Sequence, residues 1–320
     1  MSTYYQIFGG KVNVVASDPS NPINGQVWYN STSKVMKVRE TTPSAWATGG
    51  NLTTARRNLG NAGTQTAGLG FGGYSTVVVT TGTEEYDGTS WTAGGNLGTA
   101  KKDLAGCGTQ TVALGFGGYV TPAANSATSE EYNGTAWTGG GTMSTARRLL
   151  AGAGTQTVAL GFGGFTTTSS NATEEYDGTT WTGGGNMGTA RYAPAGAGTQ
   201  TSALAMGGNS GGTTNTEEYD GTSWTTGGSM NIAKRSAAGA GTQTAGLVFG
   251  GQNTDKTAST EEYDGTSWTN STNLSTARAS LGGAGTQAAG LAFGGITTVN
   301  VTNTEEYTRT TTVTRTITAT

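Results

Sequence analysis

The triplet Glu-Glu-Tyr occurs six times, ending at Tyr86, Tyr132, Tyr176, Tyr219, Tyr263 and Tyr307, with successive spacings of 46, 44, 43, 44 and 44 residues. Tryptophan keeps step at Trp46, Trp91, Trp137, Trp181, Trp224 and Trp268. So does a glycine pair, at Gly72-Gly73, Gly117-Gly118, Gly163-Gly164, Gly207-Gly208, Gly250-Gly251 and Gly294-Gly295. Three markers on one period define a tandem repeat, which restricts the chain to architectures stacked from a single supersecondary unit. A residue that recurs six times serves that architecture before it serves a site.

Each unit reads as four short strands. The first is expected to start near Ala55-Arg56 and to run through small residues to Gly63-Thr64-Gln65. The second is Ala67 to Phe71, where apolar side chains alternate with the period of a strand. Thr83 to Tyr86 is the third, and the fourth starts at Trp91 after Asp87-Gly88, a hairpin-turn signal because Gly accepts positive φ. No segment carries a helical stripe. Four strands per unit of this length predict the blades of a β-propeller. Six first, second and third strands lie between Ala55 and Tyr307, but only five fourth strands follow a Glu-Glu-Tyr. The expectation is therefore an all-β, six-bladed propeller whose last blade takes its fourth strand from the segment ending in Trp46, which removes open sheet edges. A seventh, irregular blade is the alternative, built from Gln6–Gly10, Val35–Val38 and Thr311–Ile317. The expected organisation is an N-terminal attachment segment with closing strands (1–45), the propeller (46–307) and a Thr-rich C-terminal strand or tail (308–320).

Composition supports order rather than disorder. Of 320 residues 56 are Gly, only 12% are charged and 33% hydrophobic, yet the net charge is only -3; disorder needs low hydrophobicity together with high net charge. That balance argues against nucleic acid as a partner. There is no histidine and one cysteine, which removes the commonest acid–base group and metal ligand and excludes a Cys/His zinc site by count. Cys107 sits where other repeats carry Ala153, Ala197, Ala240 and Ala284, as a small apolar residue would. Neither a basic n-region with an apolar run nor a stretch of membrane-spanning length is present, so synthesis in the cytoplasm without a secretory signal or membrane insertion is expected.

Charges follow the repeat. Twelve of the 20 acidic residues are in the Glu-Glu doublets, and ten of the 17 basic ones stand at the expected start of the first strand: Arg56, Arg57, Lys101, Lys102, Arg147, Arg148, Arg191, Lys234, Arg235 and Arg278. Neighbouring strand residues face opposite ways, so one Glu of each doublet can meet a given partner. A set of Glu–Arg pairs within or between blades is expected, with calcium-binding carboxylates as the competing reading; Glu85 and its counterparts are the residues on which to test it. Trp and Tyr of each unit are expected to pack between blades. The Gly-Thr-Gln-Thr and Asp-Gly-Thr turns hardly vary. The loops from second to third strand do, beginning at Tyr74, Tyr119, Phe165, Asn209, Gln252 and Ile296. These loops are the candidate recognition face, and their Thr, Ser and Asn content suits polar ligands such as glycans.

A glycine doublet followed by Tyr and then Trp resembles the kelch repeat over about residues 46–307, although the Tyr-to-Trp step of five is one shorter than usual and Met206 precedes one doublet. Some kelch-type propellers are copper oxidases, which need histidine ligands that this chain lacks. Sialidase propellers carry Asp-x-Gly-x-x-Trp turns; Asp87-Gly88-Thr89-Ser90-Trp91 lacks that spacing. A carboxylate-pair hydrolase stays open on glutamate content alone, but the only acidic residues outside the repeat pattern are Asp18, Glu40, Asp103 and Asp255. No enzyme activity, metal or cofactor is expected. Gly25-Gln-Val-Trp-Tyr-Asn-Ser resembles short Gly-Gln-x-Trp-Tyr-Asn-(Ser/Thr) modules of tailed-phage structural and tail-fibre proteins, and the Gly/Thr-rich units resemble repeats of marine cyanophage virion proteins. This resemblance implies a virion surface protein, a tail or neck fibre or appendage. Residues 1–45 would meet other virion proteins or sister chains of a homo-oligomer, and the propeller would bind host surface glycan or another virion protein. A capsid decoration protein and an intracellular kelch-type interaction scaffold are the alternatives.

Overall fold

The computed structural model describes residues 12–122, 124–209 and 211–317, and every regular element among them is a strand. Before the repeats come β1 (Asn13–Val15), β2 (Val27–Asn30), β3 (Val35–Thr42) and β4 (Ala45–Thr48). The first repeat holds β5 (Gly60–Gly63), β6 (Gly68–Phe71), β7 (Thr83–Tyr86) and β8 (Trp91–Ala93). The second holds β9 (Ala105–Gly108), β10 (Ala113–Phe116), a small hairpin of β11 (Tyr119–Val120) and β12 (Ala124–Asn125), then β13 (Thr128–Tyr132) and β14 (Trp137–Thr142). The third is β15 (Ala151–Gly154), β16 (Ala159–Phe162), β17 (Thr173–Tyr176) and β18 (Trp181–Gly183). The fourth is β19 (Ala195–Thr199), β20 (Ser202–Met206), β21 (Thr216–Tyr219) and β22 (Trp224–Thr226). The fifth is β23 (Ala238–Thr242), β24 (Ala245–Phe249), β25 (Thr260–Tyr263) and β26 (Trp268–Ser271). The sixth is β27 (Gly282–Gly285), β28 (Ala289–Phe293) and β29 (Thr304–Thr308), and β30 (Thr311–Ile317) ends the series.

The chain divides into two compact units, one of Trp46–Thr308 and one containing the segments before and after it. In the larger unit each repeat makes a four-stranded sheet, five of them from antiparallel strands of their own repeat, in a propeller-like arrangement. The sixth sheet has the order β27-β28-β29-β4, so its fourth strand is the one that carries Trp46. Register follows from side-chain alternation: Leu69 pairs with Glu85, Gly70 with Glu84, Phe71 with Thr83, and Tyr86 with Trp91. The second strands of the first three repeats are buried along their whole length, and those of the other three from their second residue on, because both faces meet neighbouring sheets. The apolar core is thus distributed between sheets. One cluster joins Ala62, Leu69, Phe71 and Leu97 of the first repeat to Leu104, Ala113, Tyr132 and Trp137 of the second.

One expectation about the repeat needs correction. The first strand begins at Gly60, not near Ala55-Arg56. Asn58 has φ 56°, in the left-handed region, which ends extended pairing, and Arg57 keeps only an isolated bridge to Tyr74. The hairpin turn expected at Asp87-Gly88 is present: residues 87–90 link β7 to β8, and of the Asp-Gly pair only Gly88 has positive φ, at 90°. The Asp87 carboxylate accepts the amides of Thr89 (2.8 Å) and Ser90 (2.7 Å), a side-chain-closed turn that holds its pKa below the usual carboxylate range.

The smaller unit contains a sheet of order β1-β2-β3-β30. Its β1–β2 pair is parallel, unlike the pairs within the first five repeats, and seven residues of β3 pair antiparallel with β30, from Met36↔Ile317 to Thr42↔Thr311. The strands assigned to a seventh blade from Val35 and Thr311 therefore exist, but in a separate unit; Gln6–Gly10 lies outside the described residues. The Trp-Tyr-Asn module organises the β2–β3 turn. Asn30 Oδ1 accepts the amides of Thr32 (3.1 Å) and Ser33 (2.9 Å). Asp18 accepts from the side chains of Lys37 at 2.6 Å, Asn30 at 2.7 Å and Trp28 at 3.1 Å, and these bonds hold its carboxyl down at about 2.

Candidate functional site

The repeated charges divide into two sets with different neighbours. Glu84, Glu130, Glu174, Glu217, Glu261 and Glu305 are buried, and each meets the first basic residue of its own repeat. Arg56–Glu84 closes at 2.7 Å, Lys101–Glu130 at 3.0 Å, Arg147–Glu174 at 2.9 Å, Lys234–Glu261 at 3.2 Å and Arg278–Glu305 at 3.1 Å; Arg191 pairs with Glu217 in the same way. The arginines also hold backbone: Arg147 donates to the carbonyls of Gly163 (2.8 Å) and Ala172 (2.5 Å). Burial pulls the Arg147 guanidinium down and Glu174 opposes that shift. Burial of both charges is tolerable because each is paired and hydrogen-bonded. The pairs lie within repeats, and the partner of the cation is the first Glu of the doublet rather than Glu85 and its counterparts.

The second Glu of each doublet reaches between repeats. Tyr132 donates to Glu85 at 2.5 Å, Tyr176 to Glu131 at 2.7 Å, Tyr219 to Glu175 at 2.6 Å and Tyr263 to Glu218 at 2.5 Å. Tyr86 donates to Glu306 at 2.6 Å, and Tyr307 to Glu262. The indoles follow the same rule: Trp137 donates to Thr83 (3.0 Å), Trp91 to Thr304 (2.9 Å), and Trp46 to Thr260 (3.0 Å). Trp181, Trp224 and Trp268 donate to Ser129, Thr173 and Thr216. Gln110 of the invariant turn donates to the carbonyls of Gly68 (3.1 Å) and Tyr86 (2.6 Å) in the preceding repeat, and Gln65 likewise to Gly290 (3.2 Å) and Tyr307 (2.6 Å). Sequence reasoning placed the rings between repeats but did not assign the glutamines.

A circuit of backbone bonds joins the innermost residues. Asp103 N donates to Asn58 O, Leu149 to Asp103, Ala193 to Leu149, Ser236 to Ala193, Ser280 to Ser236 and Asn58 to Ser280, at 2.7 to 2.9 Å. All six sit at φ between 51° and 57°. These residues line a cavity of about 120 Å³, and the glycines at the far ends of the first strands line a second of about 110 Å³. Asn61, Gly106, Gly152, Gly196 and Gly239 line both cavities and Gly283 lines the second; Asn61, where the other repeats carry glycine, donates its side-chain amide to Gly283 O at 2.6 Å. A Cβ on Gly106 would come within 2.5 Å of the Asn61 carbonyl oxygen, so the approach demands glycine there. Cavities of this size hold a few waters, each taking about 30 Å³.

The six loop residues meet unequal partners. Tyr74, Tyr119 and Phe165 form isolated bridges with Arg57, Lys102 and Arg148; Gln252 and Ile296 do so with Arg235 and Ala279; Asn209 donates its amide to Tyr192 O. The first three are aromatic and carry cations over their rings: Arg57 over Tyr74 at 5.1 Å and Arg148 over Phe165 at 4.9 Å from the centroid. Only Asn209, Gln252 and Ile296 lack this. Asp103 is half-buried beside this group; burial pushes its carboxyl up, while Lys102, Asn58, Arg148 and Arg57 pull it down. The second basic residue of each doublet was grouped with the first in the sequence. The alternation that separates Glu84 from Glu85 would have separated Arg56 from Arg57 as well. Among the described residues no group of three or more His, Cys, Asp or Glu side chains is placed to hold a metal ion. Among known proteins, no family model and no curated sequence matches this chain.

Proposed function

We propose that the six repeat sheets are the blades of one closed kelch-like propeller, and that it is a non-catalytic, ligand-binding component of a tailed-phage virion surface, in a fibre, neck or tail appendage. Closure is supported by contacts that return to their origin, since Tyr86, Gln65 and Trp91 of the first repeat hold the sixth as every other repeat holds its predecessor. The observation that carries the binding reading is how the repeat's polar groups are used. The recurring Glu, Arg, Tyr, Trp and Gln side chains are engaged in holding the repeats, whereas departures from repetition gather on the loops from Tyr74 to Ile296. Residues freed from the architectural pattern are those that can take on a ligand. Attachment is assigned to the smaller unit, whose Gly25–Ser33 module carries the resemblance to phage structural proteins.

Mass spectrometry of purified particles tests the setting, and the expected result is the chain in many copies per particle. Its absence would overturn the virion assignment. Cryo-electron microscopy of the same particles tests the face: loops pointing outward are expected, and loops buried against a neighbouring virion protein would make the propeller an assembly element instead of a receptor-binding one.

A further inference from the structure

The second basic position breaks the six-fold pattern in one contiguous half of the repeat series. It is Arg57, Lys102 and Arg148 in the first three repeats, then Tyr192, Arg235 and Ala279. The bridged loop residues change together with it: Tyr74, Tyr119 and Phe165, then Asn209, Gln252 and Ile296. In the first half the side chains interleave. Arg57 and Lys102 both lie 5.1 Å from the Tyr74 centroid, Lys102 5.4 Å and Arg148 5.0 Å from that of Tyr119, and Arg148 4.9 Å from that of Phe165. A shared ring keeps neighbouring cations within about 10 Å, near one Debye length at physiological salt, so they act as one field.

These cations differ from the residues just before them. Arg56, Lys101 and Arg147 each have a buried glutamate, whereas Arg57, Lys102 and Arg148 have no ion-pair partner among the described residues. Asp103 is the carboxylate whose charge acts on all three, which leaves an excess of positive charge. The outer two are aimed by loop amides: Arg57 donates to Asn300 Oδ1 and Arg148 to Asn125 Oδ1, both at 3.1 Å through one nitrogen of the guanidinium. Arg57, Tyr74, Lys102, Tyr119, Arg148 and Phe165 are all partly exposed. A cationic arc that the fold does not neutralise, on a chain of net charge -3, is set up for an anionic ligand.

We propose that this arc binds an acidic polysaccharide, with Arg57, Lys102 and Arg148 engaging successive carboxylate or sulfate groups and the loop hydroxyls and amides meeting sugar hydroxyls. The assignment rests on the ligand-binding reading of this face and narrows it to a ligand class. A polymer fits because the charges form a shallow row across three repeats, while the adjoining cavity of about 120 Å³ is too small for a sugar ring and its substituents. Nucleic acid fits less well: single-strand binding depends on open aromatic faces for base stacking, and here Tyr74 and Tyr119 each carry two cations over the ring.

The full chain is titrated by biolayer interferometry against immobilised polygalacturonate, dextran sulfate, neutral dextran and a thymidine oligonucleotide. Binding to at least one acidic polysaccharide and not to neutral dextran is expected, falling steeply with added salt. The Arg57→Gln/Lys102→Gln/Arg148→Gln variant should lose roughly tenfold or more in affinity, as expected for removing exposed charges, and Arg235→Gln should lose none. Lys102→Gln alone, which removes no buried contact, should weaken binding while leaving the melting temperature unchanged, and it decides the matter if the triple variant unfolds. Equal affinity in the Lys102 variant, no binding to either acidic polymer, or tighter binding to the oligonucleotide would overturn the proposal. Binding to neutral dextran alone would sink this proposal and spare the glycan-binding reading; absence from particles would overturn the virion assignment and spare this proposal.

Discussion

At the residue scale, each repeat buries one ion pair whose loss from one side should be costly. Arg147 is fully buried and meets Glu174 at 2.9 Å. Arg147→Met should destabilise the protein by about 3–5 kcal/mol, because it leaves a buried carboxylate unpaired. The double variant Arg147→Met/Glu174→Leu should recover much of that loss, since it removes both charges. Denaturant midpoints read both; a cost below about 1 kcal/mol for the single variant would mean the pair does not stabilise the fold. The tyrosine hydroxyls predict an alkaline limit. Burial first, and then the bond to Glu85, push Tyr132 up to about 12 from 10.0, and Tyr86, Tyr219 and Tyr263 move to about 12 likewise. A raised folded-state pKa means the folded form holds the proton more tightly, so this stabilisation is complete below pH 10 and is lost as pH climbs towards 12. Tyrosinate absorbance and circular dichroism followed over that range should change together; tyrosinate forming near pH 10 with the fold intact would refute the linkage.

At the scale of elements, the invariant Gly-Thr-Gln turn is a clamp. Gln156 donates to the carbonyls of Ala113 (3.0 Å) and Tyr132 (2.7 Å) of the preceding repeat. Gln156→Ala should cost about 1–3 kcal/mol by leaving two partly buried carbonyls without that donor. Unfolding of this variant is read against Thr157→Ala at the next, exposed position, where a change near zero is expected. Trp46 belongs to β4 yet packs at 5.0 Å from Phe249 and 5.1 Å from Tyr307. Its replacement by Ala should cost less than the ~3–5 kcal/mol of fully buried aromatic truncations, because Trp46 is only partly buried.

At the scale of the whole molecule, β4 is the only strand of the sixth sheet that does not come from its own repeat. Deleting residues 1–48 removes it and leaves β29 as an uncovered edge, and unpaired edges recruit other chains. Such a chain should elute as higher oligomers and melt at a lower temperature than the intact protein in size-exclusion and calorimetric runs. A monomer with unchanged melting would show that the sixth sheet does not need β4.

The number of repeats, their strand content and the borrowed strand with Trp46 were legible without coordinates, because one covalent period of 43 to 46 residues imposes the same hydrophobic alternation each time. Alternation also showed that the two residues of a Glu doublet face different partners. Which partners they face was not legible: the Arg147–Glu174 pair spans 27 residues and is set by how the strands and loops of one repeat fold together, and the Tyr132–Glu85 bond spans 47 and is set by how one sheet stacks on the next. The left-handed turn at Asn58 and its five counterparts was hidden for a similar reason. Asn, Asp, Leu, Ala and Ser share no local preference for φ near 55°, and they are held there by backbone bonds to neighbouring repeats. The candidate binding arc was half visible, as Tyr74, Tyr119 and Phe165 in variable loops. Only the tertiary structure brought Arg57, Lys102 and Arg148 against those rings, because side-chain proximity across sheets depends on packing that no local sequence pattern encodes.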